Sequence, residues 1–223
     1  APTKTILKNH VRDIRERAAA LGRDPRKLLF YNLQTVIVGE TDAEAEAKFE
    51  EYQRYVSYDG SLVFMSGWTG IDLGQYLPTD LVKKIETNAG RAAIDAITDG
   101  DPSRRWTVDE IARWGGIGGL GPVIVGSPTT VADILQEWVE ETDVDGFNLA
   151  YAVTPESFEN VVDLLVPELQ RRGAYPTAYQ PGTLREKLFG AGPRLAAPHP
   201  AARYRDIEAV KRAEAAARQG TAA

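Results

Sequence analysis

The chain contains no cysteine, a single methionine at Met65 and only two histidines among 223 residues. Without cysteine there can be no disulfide scaffold, thiolate metal site or cysteine nucleophile, a composition that suits a reducing compartment and makes cytoplasm the expected location. His10 and His199 lie at opposite ends of the chain, and neither has a partner at HxxxH or HxH spacing. No metal site is expected. No window approaches about 18 consecutive apolar residues, which excludes a spanning helix and gives the expectation of no membrane partner. The opening APTKTILKNHVRDIRERAAALGRDP has no apolar h-region, so it does not read as a retained signal peptide. Because the single methionine, Met65, is internal, the expectation is that either a start has been trimmed or a larger part is missing.

Basic charge is also in short supply, with a formal net charge of −6. That argues against a nucleic-acid partner, which would need clustered basic surface. Residues 123 to 182 hold two arginines against ten acids, whereas 183 to 223 hold eight basic residues against four acids. The basic tail reads as a solvated or self-docking C-terminus in preference to a phosphate-binding arm.

What is present is α/β patterning. Ile6, Leu7, Val11, Ile14, Ala18 and Leu21 recur at helical spacing before Gly22 and Asp24-Pro25, which predicts an opening amphipathic helix. Leu28 to Val38, LLFYNLQTVIV, reads as a buried strand. Thr41-Asp-Ala-Glu44 then forms a capping box for a helix with Ala45, Phe49, Tyr52 and Val56 on one face. Residues 28–56 thus make one β/α unit.

Residues 57–122 are of another character, and about sixty residues is far too long for an ordinary αβ loop. They read as an insertion with its own structure, including a helix near 80–98, a capping-box helix at Thr107 to Trp114 and the glycine-dense GGIGGLG at 115–121. Residues 123–173 supply the last elements. A short strand at Val123 to Val125 precedes a helix capped by Ser127-Pro128, with Val131, Ile134, Leu135 and Trp138 on its stripe. A strand from Gly146 to Val153 follows, then a helix capped by Thr154-Pro155. Residues 174–223 form a C-terminal tail ending in an alanine-rich helix.

Candidate chemistry is sparse. GGIGGLG lacks the lysine and Ser/Thr of a P-loop and precedes its strand, so it reads as a flexible or tightly turning loop. The helix N-terminus at Gly126-Ser127 is a better anion site, although plain capping accounts for it. Carboxylates such as Asp42, Glu44, Glu140 and Glu141 fall on helix faces and first turns. Trp68 and Thr69, set between Gly67 and Gly70, are candidate substrate contacts, or else an anchor for the insertion.

The chain offers two strands and a short third at Val123 to Val125; two parallel strands cannot form a stable sheet alone, and a (β/α)8 barrel needs eight in roughly 250 residues. The segments VIVGETDAEAEAKFEEY, GWTGIDLGQY, VIVGSPTTVADILQEWVEETDVDGFNL, VDLLVPELQRRGAYPTAYQPGTLREKLFG and HPAARYR resemble the C-terminal half of the bacterial luciferase-like flavin monooxygenases. The similarity is to the nitrilotriacetate, dibenzothiophene-sulfone and pristinamycin-synthesis branch and runs from about residue 5 to residue 205.

The resemblance implies the C-terminal part of a TIM barrel with a helical insertion. It also implies reduced FMN delivered by a separate flavin reductase, and transfer of one oxygen atom from O2 to a small organic substrate. No protein nucleophile is required, so no catalytic side chain is assigned. Most flavin ligands of the family precede the matched region and are not carried over. At the C-terminal end of the last strand, Asn148 and Tyr151 should approach the active-site mouth, from opposite strand faces by the period-two rule. Two alternatives stand beside this reading. One is a non-catalytic interaction module that pairs or homo-oligomerises through an open sheet edge; the other is a deazaflavin cofactor on the same fold.

Overall fold

The strand expected at Leu28 to Val38 forms from Tyr31 to Val38 and is the centre of the molecule's sheet. A computed structural model describes residues 1–83, 91–195 and 199–220. Its contacts divide the chain into two units, Ala1–Tyr175 and Pro176–Ala223.

In the first unit, β1 (Tyr31–Val38), β2 (Val123–Gly126) and β3 (Gly146–Ala150) form a parallel sheet of order β2-β1-β3. Val36 pairs with Ile124 on one side of β1, and Asn32 with Phe147 on the other. β2 and β3, consecutive along the chain, therefore flank β1 and do not lie side by side as successive units of a closed (β/α)8 barrel would. β3 ends at Ala150, three residues short of the expected Val153.

Helix α1 (Lys4–Ala20) stops where Gly22 takes φ +71° and its N–H reaches the Ala19 carbonyl. Helix α2 (Asp42–Gln53) starts at Thr41, whose hydroxyl accepts from the Glu44 N–H. Glu44 reaches back one residue further than a standard capping box and accepts from the Glu40 N–H at 3.0 Å. After α3 (Tyr58–Thr69), α4 (Arg91–Thr98) and α5 (Val108–Gly118), α6 (Pro128–Thr142) covers the sheet. The last helical run comprises α7 (Glu156–Asn160), a π-turn at Val161–Leu165 and α8 (Val166–Arg171).

One sheet face is closed by these helices. Val36, Val38 and Ile124 pack on Val131, Ala132 and Leu135 of α6 and on Leu165. Leu7 and Val11 of α1 join Trp138 and Val144 beside them. Each such fully buried side chain contributes roughly 1.5–3 kcal/mol. At the N-terminal edge of the sheet, buried Arg15 pairs with Asp143 and, at 3.0 Å, with Asp145. Asp145 also accepts from the Phe30 N–H at 2.8 Å, which locks the start of β1 to the start of β3.

The opposite face is only half covered. Thr35 and Ile37 are buried, and α5 contacts both β1 and β2 there. Tyr31 and Leu33 remain 44% and 39% exposed, and Asn148, in register with Leu33, is exposed beside them.

The 57–122 stretch carries its own apolar cluster, in which Met65, Leu73, Ile94, Trp106, Val108 and Ile111 are buried together. The capping box expected at Thr107 is present, with Glu110 completing it. Two expectations fail in this stretch. The helix expected near 80–98 does not begin at 80: Leu81 forms an antiparallel bridge to Thr107, residues 84–90 lie outside the described residues, and α4 begins at Arg91. The glycine run is not a loop from end to end, because Gly115, Gly116 and Gly118 belong to α5.

The physical reason is close packing. A Cβ on Gly115 would sit 2.8 Å from the Met65 side chain, on Gly116 2.4 Å from Val56 Cγ1, and on Gly118 2.8 Å from Val123 Cγ2. The glycines let α5 lie against α3 and the sheet, a gain that outweighs their poor helix propensity.

In the second unit, α9 (Leu184–Phe189) is opened by a capping box of Thr183 and Glu186 and closed by Gly190 at φ +59°. His199 caps a 3-10 segment at Pro200–Arg205 through Nδ1, which accepts from the Ala201 N–H at 3.1 Å. The expected terminal helix follows as α10 (Ile207–Gly220).

Candidate functional site

A cleft of about 860 Å³ lies between the end of α2, the first turns of α3, the glycine face of α5 and the segment after β3. Its walls are Tyr52, Tyr55, Phe64 and Tyr151, the glycines 115, 116 and 119, and the carboxylates Glu51 and Glu156. Each wall follows from local sequence. Ser57 caps α3 by accepting from the Gly60 N–H, which turns the chain so that Tyr55 and Phe64 flank one opening. Ser157 accepts from the N–H groups of both Ala152 and Val153, folding the chain after β3 back over the cleft. This turn replaces the expected Thr154 cap, for α7 has no side-chain cap at its N-terminus.

One polar network ties the α2 and α7 walls together. The Tyr52 phenol donates to Glu156 Oε2 at 3.0 Å. Burial, and next the Glu156 carboxylate, push its pKa up to about 12, so it stays a donor throughout the neutral range. The Lys48 ammonium lies 3.6 Å from Glu156 Oε1, pairs with Glu44 at 2.9 Å and donates to the Val38 carbonyl at 3.3 Å. The end of β1, helix α2 and the start of α7 are thereby tied together.

Of the four candidate substrate contacts, the structure brings only Tyr151 to the cleft, where its ring packs at a tilt against Phe158 with centroids 5.0 Å apart. Trp68 stands behind the wall. Its ring packs on Phe64 at 4.0 Å and beside Gly119, both of which line the cleft. Thr69 is 1% exposed, and its hydroxyl donates to the Met65 carbonyl at 2.8 Å and accepts from the Ile71 N–H. Asn148 lies on the half-open sheet face with Leu33, outside the cleft. Tyr52 and Glu156 were missed because each has a sufficient local reading, as a core-face residue and a first-turn acid. Only their separation of 104 positions brought to 3.0 Å marks them.

A second cleft, of about 660 Å³, opens at the C-terminal ends of β1 and β2 beside Ser127, Pro128 and Arg171. The anion at this helix N-terminus is the chain's own. Asp42 Oδ1 accepts from the Ser127 N–H at 2.7 Å, and that bond is the main reason its pKa is lowered. Arg171, and next Arg172, hold Glu168 down at about 2. Among the described residues no group of three or more His, Cys, Asp or Glu is arranged to hold a metal ion, and no helix is long and apolar enough to cross a membrane.

The chain is similar to known proteins over most of its own length. The chain is 46% identical over 195 residues to the dimethyl-sulfide monooxygenase of Hyphomicrobium sulfonivorans, covering 87% of this chain and 41% of that protein. It is 40% identical to the long-chain alkane monooxygenase of Geobacillus thermodenitrificans, covering 90% of this chain and 42% of the relative. These relatives are luciferase-like monooxygenases, and the chain is similar to part of each. It spans less than half the length of the relatives it matches. The solved structure of the Hyphomicrobium protein superposes with a TM-score of 0.75 at 43% identity, over 92% of this chain and 44% of that one. A riboflavin lyase solved with modified FMN and riboflavin gives 0.78 at 29% identity, over 92% and 45%. These neighbours are TIM-barrel proteins, so the α/β elements here correspond to part of that barrel. No protein-family model matches the chain.

Proposed function

We propose that this chain is the C-terminal portion of a reduced-FMN-dependent, two-component monooxygenase, which inserts one oxygen atom from O2 into a small organic substrate while a separate reductase supplies the flavin. The observation that carries the reading is the aromatic cleft where the chain leaves β3, the end of a parallel strand at which barrel enzymes place their chemistry.

The described residues do not fit the flavin itself. A flavin phosphate calls for guanidinium groups or free helix N–H groups. The aromatic cleft offers Glu51 and Glu156, while at the second cleft Arg171 is paired with Glu168 and the Ser127 N–H is bonded to Asp42. The contribution of these residues is to wall the substrate, with Tyr55, Phe64 and Tyr151 supplying apolar surface that keeps water from the reacting centre.

The test has two arms. Anaerobic titration of the 223-residue chain with reduced FMN is expected to show no stoichiometric binding, and a tight complex would contradict the poor fit. Joining the chain to the N-terminal portion of the dimethyl-sulfide monooxygenase, with a flavin reductase, should give substrate-dependent O2 uptake. A folded hybrid that binds reduced FMN without such uptake would refute the monooxygenase reading. The exposed Tyr31 and Leu33 favour one rival, an interaction module that self-associates through this face. A stable, folded oligomer indifferent to flavin by sedimentation would support that rival.

A further inference from the structure

The aromatic cleft has a definite charge character. Its lining includes two carboxylates, Glu51 and Glu156, and no lysine or arginine. Lys48, the cation nearest Glu156, is not a lining residue, and its ammonium is shared between Glu44, Glu156 and the Val38 carbonyl. Tyr52 directs its proton to Glu156. An entering carboxylate or phosphate would therefore meet like charge and no uncommitted cation in the lining, whereas an uncharged thioether or alkyl group would meet Tyr55, Phe64 and Tyr151.

Resting on the monooxygenase reading, we propose that Glu51 and Glu156 are specificity-determining residues that restrict the substrate to uncharged small organic molecules and exclude anionic ones. The two carboxylates act by position. Glu156 is held by Tyr52 and Lys48 at the rim of the segment after β3, and Glu51 stands one residue before Tyr52 on α2. Their effect on an anion should be on the order of tenfold in affinity, the size of a like-charge contact near a protein surface.

Matched probes test this without flavin or O2. Dimethyl sulfide, methyl (methylthio)acetate and (methylthio)acetate are titrated into the 223-residue chain carrying labelled aromatic rings, and NMR follows Tyr55, Phe64 and Tyr151. The two neutral probes should shift these rings, and the carboxylate should bind about tenfold more weakly than its ester. In Glu51→Gln/Glu156→Gln the carboxylate should gain about tenfold while the ester changes less than about twofold. Should the double variant not fold, Glu51→Gln alone and the wild-type chain in rising salt provide the same readout, because screening weakens the exclusion. Equal binding of ester and carboxylate to the wild-type chain would overturn the proposal, as would neutral probes that leave the three rings unmoved. Loss of discrimination would leave the monooxygenase reading intact, while absence of O2 uptake in the flavin-binding hybrid would remove that reading without touching the selectivity.

Discussion

Substituting Gly115 by alanine separates two physical accounts of the glycine run. If residues 115–121 were a flexible loop, the added methyl would be neutral or would stabilise the protein by about 0.4–1 kcal/mol, by restricting the unfolded chain. In the structure Gly115 is buried within α5, and the new Cβ would lie 2.8 Å from both Cγ and Sδ of Met65, which is itself 0% exposed. Overpacking of that kind costs about 1–3 kcal/mol, and the better helix propensity of alanine offsets about 1 kcal/mol of it. The net expectation is a loss of about 0–2 kcal/mol, opposite in sign to the loop account. Met65→Ala alone should cost about 2–5 kcal/mol through the cavity it leaves. Because the methyl added at position 115 would enter that cavity, the double variant should be more stable than the sum of the singles by about 0.5–3 kcal/mol. Urea denaturation of the four proteins followed by circular dichroism gives the cycle. Strict additivity, or stabilisation by Gly115→Ala alone, would refute the account of α3 against α5.

Three further outcomes follow from particular contacts. Gln34 is fully buried on β1, and neither Oε1 nor Nε2 has a partner among the described residues, so Gln34→Met should stabilise the chain by about 1–3 kcal/mol in urea denaturation. A destabilised variant would show that the amide is satisfied. Asp145→Ala removes both the Arg15 ion pair and the acceptor for the Phe30 N–H, and should cost about 1.5–3 kcal/mol in the same assay. A neutral result would mean that Asp143 alone serves Arg15. Tyr52 is raised to about 12 by burial and by Glu156, so its folded-state pKa exceeds its unfolded value. The stability it contributes is complete below pH 10, declines above that and is lost as pH passes about 12. Phenolate absorbance should show one tyrosine titrating last, and Tyr52→Phe should abolish that step.

Where one physical cause dominated a stretch, the sequence was legible. Helix α6 appears because Ser127-Pro128 can start a helix and the Val131, Leu135, Trp138 stripe must be buried. The capping box at Thr107 is similarly local. Glycine at 115–118 misled because its local preference is for turns, whereas the deciding term was the close approach of Met65 and Val56, which lie fifty or more positions away in sequence, and of Val123 on β2. The site suffered in the same way. Trp68 and Thr69 stood out by type, yet Thr69 uses its hydroxyl to close α3 and Trp68 braces Phe64 from behind. Tyr52 and Glu156 carry no motif at all and acquire meaning only through the fold.

The sheet ties the length of the match to the exposure of its residues. A parallel strand buried on both faces should show a continuous apolar run, and β1 does so from Thr35 to Val38, where helices cover one side and α5 the other. Near its start, Tyr31 and Leu33 lie on one face and are 44% and 39% exposed, and Asn148 of β3 shares that open face. A tyrosine and a leucine on an open parallel sheet are poorly explained within these 223 residues. They are well explained if the face is completed by structure corresponding to the more than half of each relative that this chain does not match. On that account, solvent exposure of the Tyr31 ring should fall when the chain is joined to the N-terminal portion of a relative. Quenching of a tryptophan placed at position 31 would measure it, and unchanged quenching in a folded hybrid would show that the open face belongs to this chain in its own right.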